Sequence, residues 1–520
     1  DYGSVGKDGF GAGEMRYDAV VVPPLCTIRS STLALLDSFA AQGGSVFLLG
    51  EPPACVDGVR REIPKEVLSG FRRLGFDKEA LLDTLEPFRE VDVRTAGGER
   101  TGRILYQMRR EQEKRWLFLA HGKEDTGLEY NLWSEAGEGE ELTVSIRGLW
   151  SAQAVNCETA RAERVNAEYT KTHTCLTVRL YEQDSLLLLL EPAGAPAREP
   201  GARPGDEKKQ TASLPAFLEN CREAVEYSLA EPNVFLLDQA EYALDGGAWR
   251  AAEEMLRIDD RIREELGYPL RSDAMAQPWV RKPCRESHTV RLRFAIPSLI
   301  EGCRAVPALE NPRAKLWWNG KEIPGAEEGG YYVDRAIRCR EPVTLKKGEN
   351  ILELTVPFGP DTDLEWCYLL GDFGVYFQNG KPVIAGKPAK VGFFDLTRQG
   401  FPFYGGNLTY RIPVKARGSA LFLQVPEYRA ALLSASLDGE QARDFYKAPY
   451  RVRFDTEPGK EYEIALTAYG NRYNTFGQLH DCNRKEEYYG PKTWRTKGKN
   501  WSYSYQIRPS GVLVPPVIQW

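Results

Sequence analysis

Histidine is scarce in this chain: His121, His173, His288 and His480 are the only four in 520 residues. No two of them are close in sequence, and the ten cysteines contain no Cys-x-x-Cys spacing, so the pattern of a zinc site is absent. The cysteines are scattered singly, which excludes a disulfide framework and makes reduced, buried thiols and a cytoplasmic setting the expectation. No apolar run approaches the roughly 20 residues that cross a bilayer; the leucine run Leu186 to Leu190 is expected as a buried strand. Charge of one sign is lacking too. Lys and Arg number 68 and Asp and Glu 74, for a net charge of -6 with the signs interspersed. That leaves no basic footprint for nucleic acid or an anionic membrane. The chain opens on Asp1, and the glycine-rich segment Asp1 to Arg16 has no signal-peptide character, so the reading is of the downstream part of a longer protein, with secretion left open.

What is there is a mainly β, multidomain chain. Its length exceeds what one hydrophobic core can serve, so several domains are expected. Tyr17 to Pro24 reads as a buried strand, Ser31 to Gly44 as a capped amphipathic helix ending on glycine, and Ser45 to Gly50 as a second buried strand. Strand, helix and strand at this spacing predict a βαβ unit with parallel strands. The phosphate-cradling Gly-x-Gly-x-x-Gly is missing between strand and helix, where Pro23-Pro24-Leu25-Cys26-Thr27 stands, and this disfavours a nucleotide site. Cys26 and Cys55 lack a strand-to-helix elbow and a nearby histidine, so both are read as structural.

From Glu90 to Pro192 short alternating strands predict a small β-sandwich. The stretch 193–212, rich in proline, glycine and charge, reads as an exposed linker. Helical stretches are expected over 214–230 and 248–266. Then a pattern appears twice. The first copy runs from His288 to Ile296, through Leu316-Trp317-Trp318-Asn319-Gly320-Lys321, to Lys347-Gly348-Glu349-Asn350-Ile351-Leu352. The second runs from Asn407 to Val414, through Ser436-Leu437-Asp438-Gly439-Glu440, to Pro458-Gly459 and the strand that follows. Period-two alternation gives each strand one apolar face, and Asn-Gly or Asp-Gly supplies the positive backbone angles of a tight hairpin. Paired antiparallel sandwiches follow.

The Asn-Gly turn followed by Leu345-x-x-Gly348-x-Asn350 resembles the galactose-binding-like jelly-roll sandwich of multidomain glycoside hydrolases; the second copy, with Glu461 where the Asn would stand, resembles it more loosely. Tyr17 to Pro53 is similar to the flavodoxin-like domain that follows the catalytic barrel in several glycosidase families. Asn233 to Trp249, Leu364 to Val375, Gly400 to Tyr410, Gly470 to His480 and Trp501 to Leu513 resemble bacterial family 2-like glycosidases related to the α-L-rhamnosidases. The resemblance implies flavodoxin-like residues 1–90, a small sandwich at 91–192, the linker 193–212, a galactose-binding-like sandwich with a helical lead-in at 213–398, and a second such sandwich at 399–520. It departs from a complete enzyme in having no (β/α)₈ barrel. In such families the two carboxylates of glycoside hydrolysis sit at barrel strand ends, so no catalytic residue is assigned.

Sugars stack on exposed aromatics, which makes Trp317, Trp318, Trp366, Tyr404 and Trp494, with Trp501 beside it, the candidate carbohydrate platforms. Adjacent Trp317 and Trp318 point to opposite faces of an extended strand, so at most one of them faces solvent. Asp361, Asp363, Glu365 and Asp372 are either a solvated loop or ligands of a structural Ca²⁺, as in some galactose-binding-like domains; no other cofactor is expected. The polar loop from Gly470 to Pro491, with His480 beside Asp481, reads as docking on another domain rather than as a general base. The expected role is a non-catalytic C-terminal region of a glycoside hydrolase, its partners an upstream barrel of the same polypeptide and carbohydrate. A free-standing carbohydrate-binding protein and an oligomerisation module remain the alternatives.

Overall fold

The computed structural model describes every residue except 1–2, 8, 123–133, 136–138, 159, 182–183, 194–217, 272–284, 326–329 and 484–489. Almost all of the expected linker 193–212 therefore lies outside the described residues. The chain divides into two compact units, one of residues 1–120, 140–180 and 185–198 and the other of residues 121–139, 181–184 and 199–520.

In the first unit, strand Ala19–Val22 pairs in parallel with Ser45–Leu49, which pairs in parallel with Arg72–Leu74. The connecting helix, Ser30–Ala41, buries Leu36 and Phe39. Its cap differs from the one expected. Arg29 occupies the N-cap without a side-chain hydrogen bond, and the Ser30 N–H is taken instead by the Asp57 carboxylate at 2.9 Å, from a turn 27 residues away. That hydrogen bond is the main reason the Asp57 carboxyl sits below its ordinary value. Three parallel strands and one helix establish a small α/β element here.

The same unit holds a two-sheet sandwich. Its four-stranded sheet is ordered Val91–Thr95, Glu140–Arg147, His173–Leu180, Ala167–Tyr169, and its five-stranded sheet Ile104–Glu111, Lys114–His121, Ser185–Pro192, Trp150–Asn156, Arg161–Val165. Within the leucine run, Leu188 and Leu190 are fully buried while Leu187 and Leu189 face outward, half-buried. Alternation therefore survives inside an unbroken apolar run.

The second unit contains both copies of the repeated pattern. In the first, strand His288–Ser298 pairs antiparallel along its whole length with Gly348–Phe358. In the second, Leu408–Lys415 pairs antiparallel with Glu461–Tyr469. Both hairpin turns form as expected, with φ of +48° and +82° at Asn319 and Gly320 and of +48° and +77° at Asp438 and Gly439. Asn319 also accepts the Ile351 N–H through its side chain at 2.9 Å, as Asp438 accepts that of Glu463 at 2.8 Å. Each turn is thus stitched to the long strand beside it.

The helical expectation fails in part. Leu218–Asn220 is a strand paired with Val517–Gln519, and Glu226–Leu229 is a strand paired with Leu408 to Arg411. Tyr227 packs against the second core cluster, its ring edge-on to Phe401 at 5.6 Å; this tertiary pairing overrides a local sequence of good helix formers. Of 248–266, only Met255–Leu266 is helical, and Arg250–Glu254 pairs as a strand with Gln239–Leu244. Among the described residues no helix is long and apolar enough to cross a membrane, and the nine described cysteines are free thiols.

Candidate functional site

Strand Lys315–Trp318 sets the geometry of the two adjacent tryptophans. Trp318 points inward, 8% exposed, and donates its indole N–H to the Thr344 carbonyl at 3.0 Å. Trp317 points outward and is half-buried. It stands in a cross-strand row in which Glu241 faces Arg293, Arg293 faces Glu353, Glu353 faces Trp317 and Trp317 faces Glu322. Arg293 bonds Glu353 at 2.8 Å and reaches Glu241 at 3.3 Å, while its guanidinium lies 4.0 Å from the ring centre of Trp249. Neighbouring strands lie roughly 4.8 Å apart, so the outward face carries two indoles about the Arg293–Glu353 pair.

Two of the other aromatic candidates, Tyr404 and Trp366, turn inward. Tyr404 is 5% exposed; its hydroxyl donates to the Asn407 carbonyl at 2.9 Å, and burial pushes its phenol up to about 12. Trp366 is 6% exposed and donates to Glu254 at 2.6 Å. Trp494 packs half-buried against the first core cluster and donates to the Phe476 carbonyl at 2.8 Å. Tyr404 and Trp366 are therefore internal struts, while Trp494 keeps a partly exposed ring.

Trp366 and Trp494 belong to a buried ionic seam that the sequence did not disclose. Glu254 caps helix Met255–Leu266 by accepting the N–H groups of Leu256 and Arg257, as the orphan donors of a helix start require. Arg257 binds the Trp494 carbonyl at 2.9 Å and the Thr496 carbonyl, and stacks 3.5 Å from the Trp501 ring centre. One turn on, Asp259 and Asp260 receive Arg495 at 3.1 and 2.7 Å, and Asp259 also pairs with Arg263 at 2.9 Å. All four of these groups are nearly or wholly buried. His480 lies at the other edge. Its Nε2 meets Asp238 at 2.8 Å and its Nδ1 the Ser502 carbonyl at 2.8 Å, with the Tyr505 hydroxyl donating to the second Asp238 oxygen at 2.7 Å. Burial lowers the His480 pKa, but the Asp238 hydrogen bond and charge, then Glu254 and the Ser502 carbonyl, outweigh it and hold it above the ordinary value. The described part of the loop from Gly470 packs on the core of the first repeat, with Leu479 fully buried there and Tyr473 and Phe476 beside it. Tyr488 and Tyr489 lie outside the described residues.

The acidic candidates separate. Asp372 pairs with Lys387 at 2.5 Å and Asp363 with Arg271 at 2.9 Å. Among the described residues no group of three His, Cys, Asp or Glu side chains is placed to hold a metal ion. Asp361 and Asp363 instead line a hollow of about 410 Å³ with Glu286, Glu310, Asn311 and Arg313. A separate pocket of about 20 Å³ shares Glu310, Asn311 and Asp363 with it and is bounded further by Glu365 and apolar side chains. Burial, then the nearby Glu310 and Asp363, push the Glu365 carboxyl up to about 8, and burial raises Glu310 as well. Sequence reading missed Glu310, a lone acid after a strand with no motif around it.

No family model matches the chain, and no curated protein does. Among solved structures, the rhamnosidase from Novosphingobium sp. PP1Y is 12% identical with a TM-score of 0.41, over 95% of this chain and 33% of that one. The Streptomyces avermitilis α-L-rhamnosidase complexed with L-rhamnose is 10% identical with a TM-score of 0.21, over 82% of this chain and 38% of that one. A glycosyl hydrolase family 2 member from Bacteroides cellulosilyticus is 12% identical with a TM-score of 0.16, over 49% and 32%. The chain spans about a third of the length of these proteins. Likenesses so distant establish neither family nor function for it.

Proposed function

We propose that this chain is a non-catalytic portion of a glycoside-hydrolase-related protein, in which it braces a catalytic barrel carried elsewhere on the polypeptide and shapes its substrate entrance. In this reading the α/β element is flavodoxin-like and the two repeats are galactose-binding-like jelly rolls. The observation that carries the bracing role is the buried seam: Arg495, His480 and Trp494 from the chain's last 50 residues are committed to Asp238, Asp259, Asp260 and the helix 255–266 rather than to a reacting centre. A region built this way resists deformation, because each buried charge is costly to unpair.

Substituting Arg495→Ala in the longest natural form of the protein tests this. Bracing predicts a lower unfolding temperature with kcat and KM for glycoside turnover retained while the protein stays folded. A raised KM with unchanged unfolding temperature would place Arg495 in substrate handling and contradict the reading. The outward Trp317 row favours, as a second reading, a carbohydrate-binding protein that works on its own; loss of sugar affinity in Trp317→Ala is its test.

A further inference from the structure

Residues 500–506 cross over His480 as a strap. The Cys482 N–H donates to the Asn500 carbonyl at 2.9 Å, the Ser502 N–H to the His480 carbonyl at 3.0 Å and the Gln506 N–H to the Leu479 carbonyl at 2.7 Å. The strap is thus laced along the segment that carries the histidine. Its side chains then reach past that segment to the body of the first repeat. Tyr505 donates to Asp238 at 2.7 Å and Tyr503 to Glu253 at 2.9 Å, and the Arg257 guanidinium lies 3.5 Å from the Trp501 ring centre. His480 is buried between the two layers, its ring centre 4.7 Å from that of Trp501 and 4.9 Å from that of Tyr505.

The imidazole touches both layers. Its Nε2 meets Asp238 of the body and its Nδ1 the Ser502 carbonyl of the strap, each at 2.8 Å. Both partners are acceptors, so only the doubly protonated ring satisfies the two at once. A neutral ring keeps one N–H, and the Asp238 carboxylate holds it in a charge-assisted hydrogen bond stronger than any a carbonyl offers. The Nδ1 lone pair then faces the Ser502 oxygen, and the repulsion falls on the strap. The surrounding groups favour the charged ring while the strap is closed. Asp238 faces it from the turn before strand Gln239–Leu244 and Glu254 from the cap of helix Met255–Leu266. Tyr505, from the strap, is buried deeply enough to keep its phenol proton, and Arg257 is committed to Glu254 and the Trp494 carbonyl. We propose that loss of a proton from His480 loosens the strap 500–506 at Ser502 while the Asp238 side stays bonded, so that the strap closes as the pH falls and opens as it rises. The charged ring is fully formed below about pH 6.5 and is lost as the pH climbs through the folded value, which lies higher. The bracing seam of the proposed function thereby gains a pH response, and the switch rests on that reading only for its purpose.

Hydrogen exchange of the full chain, read by mass spectrometry and corrected for base catalysis of exchange, tests it. Protection of the Ser502 and Gln506 amides is expected to drop about tenfold between about pH 6 and about pH 9, the equivalent of one hydrogen bond. Strand Lys114–His121 of the first unit is expected to keep its protection, and His480→Gln, which carries no charge at any pH, to remove the drop. The strap amides are expected to exchange with little dependence on urea, as local opening does. Constant protection of the strap, an equal drop in Lys114–His121, or a urea dependence as steep as that of Gly348–Phe358 would each overturn the switch. Nitrogen-15 spectra of the four histidines, assigned with His121→Gln, His173→Gln and His288→Gln, reach the same decision in a chain that keeps His480. With rising pH His480 is expected to lose its Nδ1 proton and keep that on Nε2; loss from Nε2 instead, or a ring already neutral at about pH 6, would overturn the proposal. None of these results touches the bracing role, which Arg495→Ala tests separately.

Discussion

His480 and Asp238, 242 residues apart in sequence, meet at 2.8 Å inside the second unit with 2% exposure each. Both ring nitrogens of His480 face acceptors, the Asp238 carboxylate and the Ser502 carbonyl, so both carry protons in the ion-paired state. The pKa of His480 is raised in the folded chain. A raised group contributes stability that is fully present below its unfolded pKa, about 6.5, and lost as the pH rises through the folded value. Urea unfolding midpoints are therefore expected to fall as the pH increases above about 6.5. The double variant His480→Gln with Asp238→Asn, which removes both charges, is expected to flatten that decline; an unchanged slope would mean the pair is not charged.

Glu365 shifts stability in the same direction. With its carboxyl raised to about 8, its contribution is complete below about pH 4.3 and lost as the pH climbs toward 8. Glu365→Gln is expected to raise the unfolding midpoint above neutral pH and leave it unchanged in acid.

Arg495 holds two buried carboxylates. Removing it in Arg495→Ala is expected to cost about 3–5 kcal/mol, the penalty for leaving buried charge unpaired. Adding Asp259→Asn and Asp260→Asn is expected to recover part of that loss, read from chemical denaturation.

Trp366 is expected to behave as a strut. Trp366→Phe replaces the indole with a smaller aromatic ring and deletes the donor to Glu254, a loss of about 1.5–3 kcal/mol when the partner is charged. Sugar affinity, measured alongside, is expected to stay the same; a loss of affinity without a loss of stability would return Trp366 to the surface platforms.

Gly320 tests the repeated turn. It sits at a φ of +82° with open space around its Cα, so Gly320→Ala meets only backbone strain, about 1–2 kcal/mol. Gly439→Ala, at +77° in the second copy, is expected to cost about the same.

Those turns were legible in the sequence because their determinants are local. Asn319-Gly320 and Asp438-Gly439 fix the backbone angles on their own, and period-two alternation fixed the long strands on either side. The second copy's departure at Glu461 has a physical reason: the Asn319 amide needs an acceptor and finds Asn350 at 3.2 Å, whereas the Asp438 carboxylate has no N–H to satisfy. Of the tryptophan pair, the alternation placed one inward and one outward, and the Thr344 carbonyl decided which. What was not legible depends on distance along the chain. Nothing near Ser30 announces that Asp57 caps its helix, nothing near Tyr227 announces a strand partner at residue 410, and Glu310 gains meaning only where the ends of three strands converge.

The most direct test of the central claim compares hydrolysis of a panel of aryl glycosides by this 520-residue chain and by the longest natural product of its gene. Turnover by the longer protein alone is the predicted result. Turnover by the chain itself would contradict the account.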